Sequence, residues 1–300
     1  MTTILPSDHA ARLERSRLSL DGLSVGDAFG GQFFIPGVYF RHFSSRTPPP
    51  GLWNYTDDTE MALGILEVLE RHGCIEQYDL AMSFARRYSL DIYRGYGATA
   101  HQILSAIAEG TPWRNASYAA FGGEGSMGNG AAMRVAPLGA YFADDLDRVI
   151  SEARLSAEVT HAHPEGIVGG IATAVAAATA WQLRGQHGEG RLLSAVLERM
   201  PPGVTRDRLA YARDIPTETT AEEVGRLVGN GSRVTGPDTV PFTTWVADRY
   251  LHDYVGALWA TVSAGGDVDT TCAIVGGIVA LATGPDSIPA AWLAAREELK

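Results

Sequence analysis

Two short acidic segments, far apart in the chain, carry the residue types that bind hard metal ions. The first is Tyr55-Thr56-Asp57-Asp58-Thr59-Glu60, and the second is Gly265-Gly266-Asp267-Val268-Asp269-Thr270-Thr271. Each has two aspartates with threonine beside them, and each opens an apolar segment of helical period. Carboxylate, hydroxyl and carbonyl oxygens are the ligands that Mg²⁺, Mn²⁺ and Ca²⁺ prefer. We therefore expect the two segments to form a metal site.

A simpler interpretation is that each segment only caps a helix. Asp and Thr are common N-caps, and the helix dipole favours an acidic residue there by about 0.3–1 kcal/mol. Asp267 and Asp269 straddle a predicted helix start, one in the loop and the other in the first turn. Four aspartates close together would raise one another's pKa unless a cation neutralised them. Because the segment occurs twice, the sequence predicts a pair of Mg²⁺ or Mn²⁺ ions that position hydroxyls and water for attack.

A glycine-rich loop at residues 122–130 has the composition of an anion-binding site. Its backbone amides can approach a pyrophosphate closely, Ser126 offers a hydroxyl and Asn129 an amide, and the dipole of a following helix would assist. The loop lacks the lysine of a Walker motif and follows no strand, so neither a P-loop nor a Rossmann site fits. A flexible loop is the alternative interpretation.

Two histidines, His161 and His163, flank Ala162 just before a predicted helix of small residues. A zinc pair needs a third ligand of matching chemistry, and none is adjacent. We expect a packing or substrate-contact role for them. Imidazoles satisfied at a capped helix start remain the alternative.

Helical periodicity dominates the chain, and no alternation of period two lasts more than a few residues, so we predict an all-α protein. Asp57 or Asp58 should cap a helix that runs to Arg71. The glycines of 26–31 indicate close packing of the first helix against other backbone. Residues 36–54 and 216–241 are expected to be irregular, the latter around one short helix. The predicted helices are about 8–28, 57–71, 76–90, 98–109, 145–160, 164–183, 189–199, 205–213, 243–262, 269–283 and 288–298.

Composition is that of an ordinary globular chain, with 300 residues of which 45% are hydrophobic and 20% charged. The formal net charge of −11 argues against nucleic acid as the main partner, except as a modified base in a small pocket. Two cysteines cannot form a disulfide framework, and Met1 to Arg17 has no signal-peptide pattern, so a cytoplasmic location is expected. The most apolar runs are shorter than the roughly 20 residues of a membrane span, so no membrane partner is expected.

Five segments together resemble the successive motifs of the ADP-ribosylglycohydrolases, which include the dinitrogenase-reductase-activating glycohydrolases. The resemblance runs in the family's order from about residue 18 to 283. The segments are Gly26-Asp27-Ala28-Phe29-Gly30, Tyr55-Thr56-Asp57-Asp58-Thr59, Gly125-Ser126-Met127-Gly128-Asn129-Gly130-Ala131-Ala132-Met133-Arg134, Thr160-His161 and Gly266-Asp267-Val268-Asp269-Thr270-Thr271.

The resemblance implies a compact, single-domain orthogonal helix bundle over residues 1–300 that binds ADP-ribose or an ADP-ribosylated substrate. It implies hydrolysis of the bond between ADP-ribose C1″ and an acceptor, with two divalent cations, Mg²⁺ or Mn²⁺. His161 and Tyr96 match substrate-contacting positions. The implied diphosphate-binding residues are Gly125, Ser126, Met127, Gly128, Asn129 and Gly130. The implied metal ligands are Thr56, Asp57, Asp58, Asp267, Asp269 and Thr270.

The chain departs from the family pattern at Phe34. Several members place a glutamate shortly after the first motif, near the metals, whereas Gly31-Gln32-Phe33-Phe34 contains no carboxylate. Either Asp57 or Asp58 then activates water on the metals, or hydrolysis is lost and the protein only binds ADP-ribose. A third hypothesis keeps the enzyme class but takes a small nucleotide or nucleoside N-glycoside as substrate.

Overall fold

Helices form nearly all of the regular secondary structure. The computed structural model describes residues 5–186 and 190–300. This part of the chain contains short 3₁₀ turns and two isolated β-bridges but no strand, which confirms the expected all-α fold. The α-helices are α1 (His9–Gly31), α2 (Val38–His42), α3 (Asp57–His72), α4 (Gln77–Leu90), α5 (Ala98–Ala108), α6 (Trp113–Ala119), α7 (Gly130–Met133), α8 (Ala136–Tyr141), α9 (Leu146–Glu158), α10 (Pro164–Gln182), α11 (Arg191–Arg199), α12 (Val204–Arg213), α13 (Ala221–Val228), α14 (Gly236–Arg249), α15 (Tyr254–Ser263), α16 (Val268–Thr283) and α17 (Ala290–Ala295).

The predicted single helix over 243–262 is wrong, because α14 and α15 occupy this stretch with a break between them. The side chain of Asp253 accepts a hydrogen bond from the Gly256 amide at 2.8 Å and so starts a new helix. α14 also begins at Gly236, and it contains Pro241. Pro241 has no amide to bond the Pro237 carbonyl, which instead accepts a hydrogen bond from Arg208 at 3.0 Å.

Other boundaries differ in smaller ways. α2 and α6 were not predicted, because helices of five and seven residues show too little periodicity to detect. α11 begins at Arg191, and residue 189 of the predicted helix lies outside the described residues. The predicted cap of α3 is also wrong, since its N-cap is Thr56 and Asp57 is already helical.

The crossing of α1 and α16 brings the acidic residues of both helices together. Gly22, Gly26 and Gly30 lie four residues apart on α1, and a Cβ at any of them would collide with backbone of α16. The Ser19 hydroxyl also donates to the Gly277 carbonyl at 2.8 Å. The predicted close packing of this glycine-rich helix end is therefore confirmed, and it sets Asp27 beside the start of α16.

An aromatic cluster supports the same end of α1. Phe29 is stacked on Trp292 with ring centroids 4.5 Å apart, and it makes an edge contact with Trp259 at 5.0 Å. The backbone of Trp53 bonds both Ala295 and Glu297, at 2.7 and 2.8 Å, so the C-terminal segment lies beside the chain that leads into α3. Within the described residues, no helix is long and apolar enough to cross a membrane.

Candidate metal centre and substrate cleft

Three carboxylates from three helices meet at the centre of the candidate site. Asp27 of α1, Asp58 of α3 and Asp269 of α16 each place a carboxylate oxygen within 4.8 Å of the other two. Asp58 and Asp269 belong to the two acidic segments, which the fold therefore brings together. Asp27 was not among the ligands predicted from the sequence.

Threonines of the first acidic segment hold the Asp27 carboxylate. The hydroxyl of Thr59 donates to Asp27 Oδ2 at 2.5 Å. Thr56 Oγ1 lies 2.8 Å from Asp27 Oδ1 and 2.9 Å from Asp58 Oδ2. Because a hydroxyl has only one proton to donate, Thr56 cannot satisfy both carboxylates when both are ionised.

The charge of the cluster is poorly compensated by the protein alone. Burial raises the pKa of Asp58, and the charges of Asp27 and Asp269 raise it further. Burial and the charge of Asp267 likewise raise the pKa of Asp269. Burial raises the pKa of Asp27 to about 6, against the lowering effect of its threonine hydrogen bonds. Asp58 Oδ1 is buried and has no hydrogen-bond partner among the described residues. An oxygen donor set of this charge fits a hard divalent cation.

The other predicted ligands lie around this group. Burial and the charge of Asp27 raise the pKa of Asp57 to about 7, and Asp267 also contributes, so all these carboxylates interact. Asp267 Oδ2 accepts a hydrogen bond from Asn129 Nδ2 at 2.7 Å. The Thr270 amide donates to Asp269 Oδ1 at 2.8 Å. As expected, Asp267 precedes α16 and Asp269 lies in its first turn.

The glycine-rich loop is fixed in place by hydrogen bonds, which argues against the flexible-loop alternative. The Met127 carbonyl accepts from the Gly236 amide at 3.0 Å, and the Gly128 amide donates to the Ser126 hydroxyl at 3.1 Å. Asn129 bonds the Thr239 hydroxyl at 3.1 Å as well as Asp267. Gly125 has a φ of +77°, and a Cβ there would collide with the backbone of Ala162.

The helix that follows the loop is very short. α7 has only four residues, Gly130 to Met133, so it adds little dipole to an anion site. Because Asn129 Nδ2 donates its two protons to Thr239 and Asp267, free backbone amides and the Ser126 hydroxyl would have to bind an anion here.

His161 packs directly against the glycine-rich loop. A Cβ on Gly128 or Gly130 would lie 3.1 or 3.0 Å from His161 Nε2. Burial, assisted by the charge of Arg134, lowers the pKa of His161 to about 3.

Tyr96 is buried at the junction of α4 and α5. The Tyr96 ring contacts Tyr88 at 5.1 Å, and its hydroxyl has no partner among the described residues.

A cavity of about 520 Å³ opens beside the acidic cluster. Thr56, which contacts both Asp27 and Asp58, forms part of its wall. Phe34 and Tyr93 also line it, and their side chains are 55% and 89% exposed. Arg94 lies in the same wall and binds Glu297 with two hydrogen bonds, of 2.6 and 2.8 Å.

Comparison with known proteins identifies the family. The model of the ADP-ribosylglycohydrolase family matches residues 8–300. The chain belongs to this family. The family and its characterised relatives are hydrolytic enzymes, so this ADP-ribosylglycohydrolase is placed in a class of hydrolases.

Relatives match over most of their length. The ADP-ribosylhydrolase ARH3 of Homo sapiens is 29% identical, over 94% of this chain and 89% of that protein. The ADP-ribosyl-[dinitrogen reductase] glycohydrolase of Rhodospirillum rubrum is also 29% identical, over 91% and 86%. A solved structure described as an ADP-ribosylglycohydrolase-related protein complex superposes with a TM-score of 0.67 at 27% identity, covering 95% of this chain and 93% of that one.

Proposed function

We propose that the protein is a divalent-metal-dependent hydrolase that cleaves the bond between ADP-ribose C1″ and an ADP-ribosylated protein side chain or other group. One contact carries the proposal, the 2.7 Å hydrogen bond from Asn129 to Asp267. It joins the candidate diphosphate loop to the acidic cluster, so one ligand can reach both. A diphosphate linked to a ribose would contact the loop through its phosphates and the cluster through its ribose hydroxyls.

The ion site is proposed from the oxygen donors that converge on it. Two divalent cations, Mg²⁺ or Mn²⁺, would supply positive charge that positions ribose hydroxyls and lowers the pKa of a bound water. The residues proposed to hold them are Asp27, Asp58 and Asp269, together with Thr56, Asp57, Asp267 and Thr270.

The remaining groups are assigned by their positions. Asp57 or Asp58, at the start of α3, would take the proton from the attacking water. Carboxylates near C1″ also stabilise the oxocarbenium-like transition state of glycoside hydrolysis. The acceptor side of the bond would lie in the cavity, since Thr56 connects the cavity wall to the cluster. His161 and the loop would bind the diphosphate side.

Phe34 favours a second candidate, a protein that binds ADP-ribose without cleaving its glycosides. It lies in the cavity wall and offers no carboxylate, whereas the family resemblance implies a glutamate with a catalytic or metal-gating role at this position in several members. The two candidates share the same ligand site and differ only in turnover.

Release of free ADP-ribose tests the proposal. Arginine-linked and serine-linked ADP-ribosyl peptides, an ADP-ribosylated base and a small N-glycoside are incubated with the protein in Mg²⁺ or Mn²⁺ and in chelator. We expect metal-dependent release from at least one macromolecular linkage, and a large loss in Asp58→Asn but not in Asp21→Asn. Tight ADP-ribose binding by calorimetry without turnover of any substrate would establish the binding protein instead. Turnover of the small glycoside alone would assign the N-glycosidase activity.

We further propose that residues 1–300 form one domain. α1 and α16, from opposite ends of the chain, pack at backbone contact and each supply an aspartate to the same cluster. Limited proteolysis that yielded a stably folded fragment lacking either helix would contradict this.

A further inference from the structure

The guanidinium of Arg134 is buried and forms no ion pair among the described residues, although the charge of Asp57 acts on it and raises its pKa against the effect of burial. It lies between α7 and α8 and is 0% exposed. Its Nη2 donates to the Ser156 carbonyl at 3.0 Å and to the Thr160 hydroxyl at 2.9 Å, and the guanidinium lies 4.4 Å from the Phe84 ring centre. A buried charge is costly, so its retention next to the site calls for a role.

The contact with Arg134 fixes the direction of the Thr160 hydroxyl. Guanidinium groups only donate hydrogen bonds, so Thr160 Oγ1 must accept from Arg134. Its other contact among the described residues is His161 Nδ1, at 2.8 Å. A hydroxyl can accept two hydrogen bonds but has one proton, and Nδ1 is the acceptor for that proton among the described residues.

This arrangement determines the tautomer of His161. A ring nitrogen that accepts a hydrogen bond carries no proton, so the neutral imidazole has its proton on Nε2. The opposite tautomer would leave the Thr160 proton without an acceptor among the described residues, and a buried donor without a partner is costly. The low pKa of His161 keeps the ring neutral.

Nε2 lies against the glycine-rich loop. A Cβ on Gly130 would be 2.8 Å from His161 Cε1, closer than real side chains approach, and one on Gly128 would be 3.1 Å from Nε2, so the loop backbone packs directly on the ring. No hydrogen-bond partner of Nε2 is found in the described part of the chain. The amides of Gly125, Gly128 and Asn129 already donate within the protein, whereas the Nε2 proton has no acceptor in that part of the chain and is available to a ligand at the loop.

We propose that Arg134 and Thr160 are positioning residues that hold His161 as a hydrogen-bond donor towards the loop, and that the group bound there is an acceptor oxygen, such as a phosphate oxygen. The identification of the ligand as ADP-ribose rests on the proposed function. The tautomer itself follows from the hydrogen bonds alone.

Nitrogen NMR of the imidazole rings tests the tautomer. The full chain is labelled with ¹⁵N-histidine, and the His161 signals are those lost in His161→Gln. We expect an unprotonated Nδ1 and a protonated Nε2 in the wild type, and a mixture of tautomers in Thr160→Val. Thr160→Ser should restore the wild-type pattern. Thr173→Val is the matched control, because it removes a buried hydroxyl of α10 that has no partner among the described residues. A protonated Nδ1 in the wild type would overturn the proposal.

Calorimetry with ADP-ribose tests the consequence for binding. The loss of one oriented donor to a charged group should weaken binding about tenfold in Thr160→Val and leave Thr173→Val unchanged. Equal affinities of Thr160→Val and the wild type would overturn the positioning role. If the wild type bound no ADP-ribose, the proposed function would fail, whereas the NMR result would still decide the tautomer.

Discussion

Both carboxylate oxygens of Asp27 accept hydrogen bonds from the backbone amide of Thr56, at 3.1 and 2.9 Å. Asp27 lies in α1 and Thr56 immediately precedes α3, so the contact joins two helices that supply candidate metal ligands. The Thr59 amide also donates to Asp27 Oδ2, at 3.2 Å. The Asp27 carboxylate therefore satisfies amides at the start of α3, as the side chain of an N-cap residue usually does. It also lies beside the carboxylates of Asp58 and Asp269.

Replacing Asp27 should weaken metal binding as strongly as replacing a ligand from either acidic segment. We expect Asp27→Asn to lower Mn²⁺ affinity at least about tenfold, because the loss of a carboxylate in a shared oxygen site removes more than about 1.4 kcal/mol. Isothermal titration calorimetry measures the affinity. Asp21→Asn, on the same helix with a 45% exposed side chain, is the matched control and should bind normally. Normal Mn²⁺ affinity in Asp27→Asn would remove Asp27 from the site.

Divalent cations should stabilise the folded protein. Binding to the native state alone adds about 2.7 kcal/mol to the free energy of unfolding when the free ion is at 100 times its Kd. We expect Mg²⁺ or Mn²⁺ to raise the melting temperature and a chelator to abolish the rise. In Asp58→Asn the rise should be much smaller. A rise of the same size in that variant would show that the ion binds elsewhere.

Clustered residue types could be predicted from the sequence, whereas isolated ones could not. Asp57 with Asp58, and Asp267 with Asp269, were recognised because two carboxylates stand together at helix starts. Asp27 stands alone in a glycine-rich helix, and only the packing of α1 on α16 brings it to the others. The glycine before Asp27 was the available signal, because it marks a close contact between helices. An aspartate beside such a contact is buried and needs partners.

Arg134 was missed as a separate feature for the same reason. It is a single basic residue in an apolar run, and its partners lie 22 and 26 residues further along the chain, Ser156 within α9 and Thr160 just after it. The wrong prediction of one helix over 243–262, where the structure has two, has another cause. Periodicity averages over several turns, so it does not detect a break of one turn such as that at Asp253.

Burial of neutral His161 should make the protein less stable in acid. Its pKa is about 3 in the folded state against an ordinary value of 6.5, so the unfolded state binds more protons below about pH 6.5 and folding stability falls with falling pH. This one group makes the free energy of unfolding decrease by up to about 1.4 kcal/mol for each pH unit below that value. We expect His161→Gln to lose that slope in urea unfolding measured from pH 6.5 to 5, and Thr173→Val, which removes a buried hydroxyl and no titratable group, to keep it. An unchanged slope in His161→Gln would contradict the prediction.

The α1–α16 crossing should tolerate no side chain at Gly26. Its Cβ would meet the carbonyl group of Cys272, and backbone cannot move as a flexible side chain does. Gly26→Ala should therefore reduce the free energy of unfolding by about 1–3 kcal/mol or more and weaken Mn²⁺ binding, because it displaces Asp27 from Asp269. Gly31→Ala on the same helix is the control. Among the described residues, the Asn54 carbonyl is the one atom within 4 Å of its Cβ, at 3.9 Å, and denaturant unfolding should show little loss.

A carboxylate at position 34 should increase turnover if the cavity beside the cluster holds the scissile bond. Phe34 lines that cavity with 55% of its surface exposed, so a glutamate can be accommodated without burying an unpaired charge. General acid–base assistance is typically worth 10²–10⁴-fold, and we expect Phe34→Glu to raise kcat by about 10²-fold with little change in the Kd of ADP-ribose. Phe34→Gln, of equal size without the charge, separates a carboxylate effect from the removal of the ring. If kcat stays the same or falls in Phe34→Glu, we would conclude that Asp57 or Asp58 already supplies the base. The reaction would then need no carboxylate at position 34.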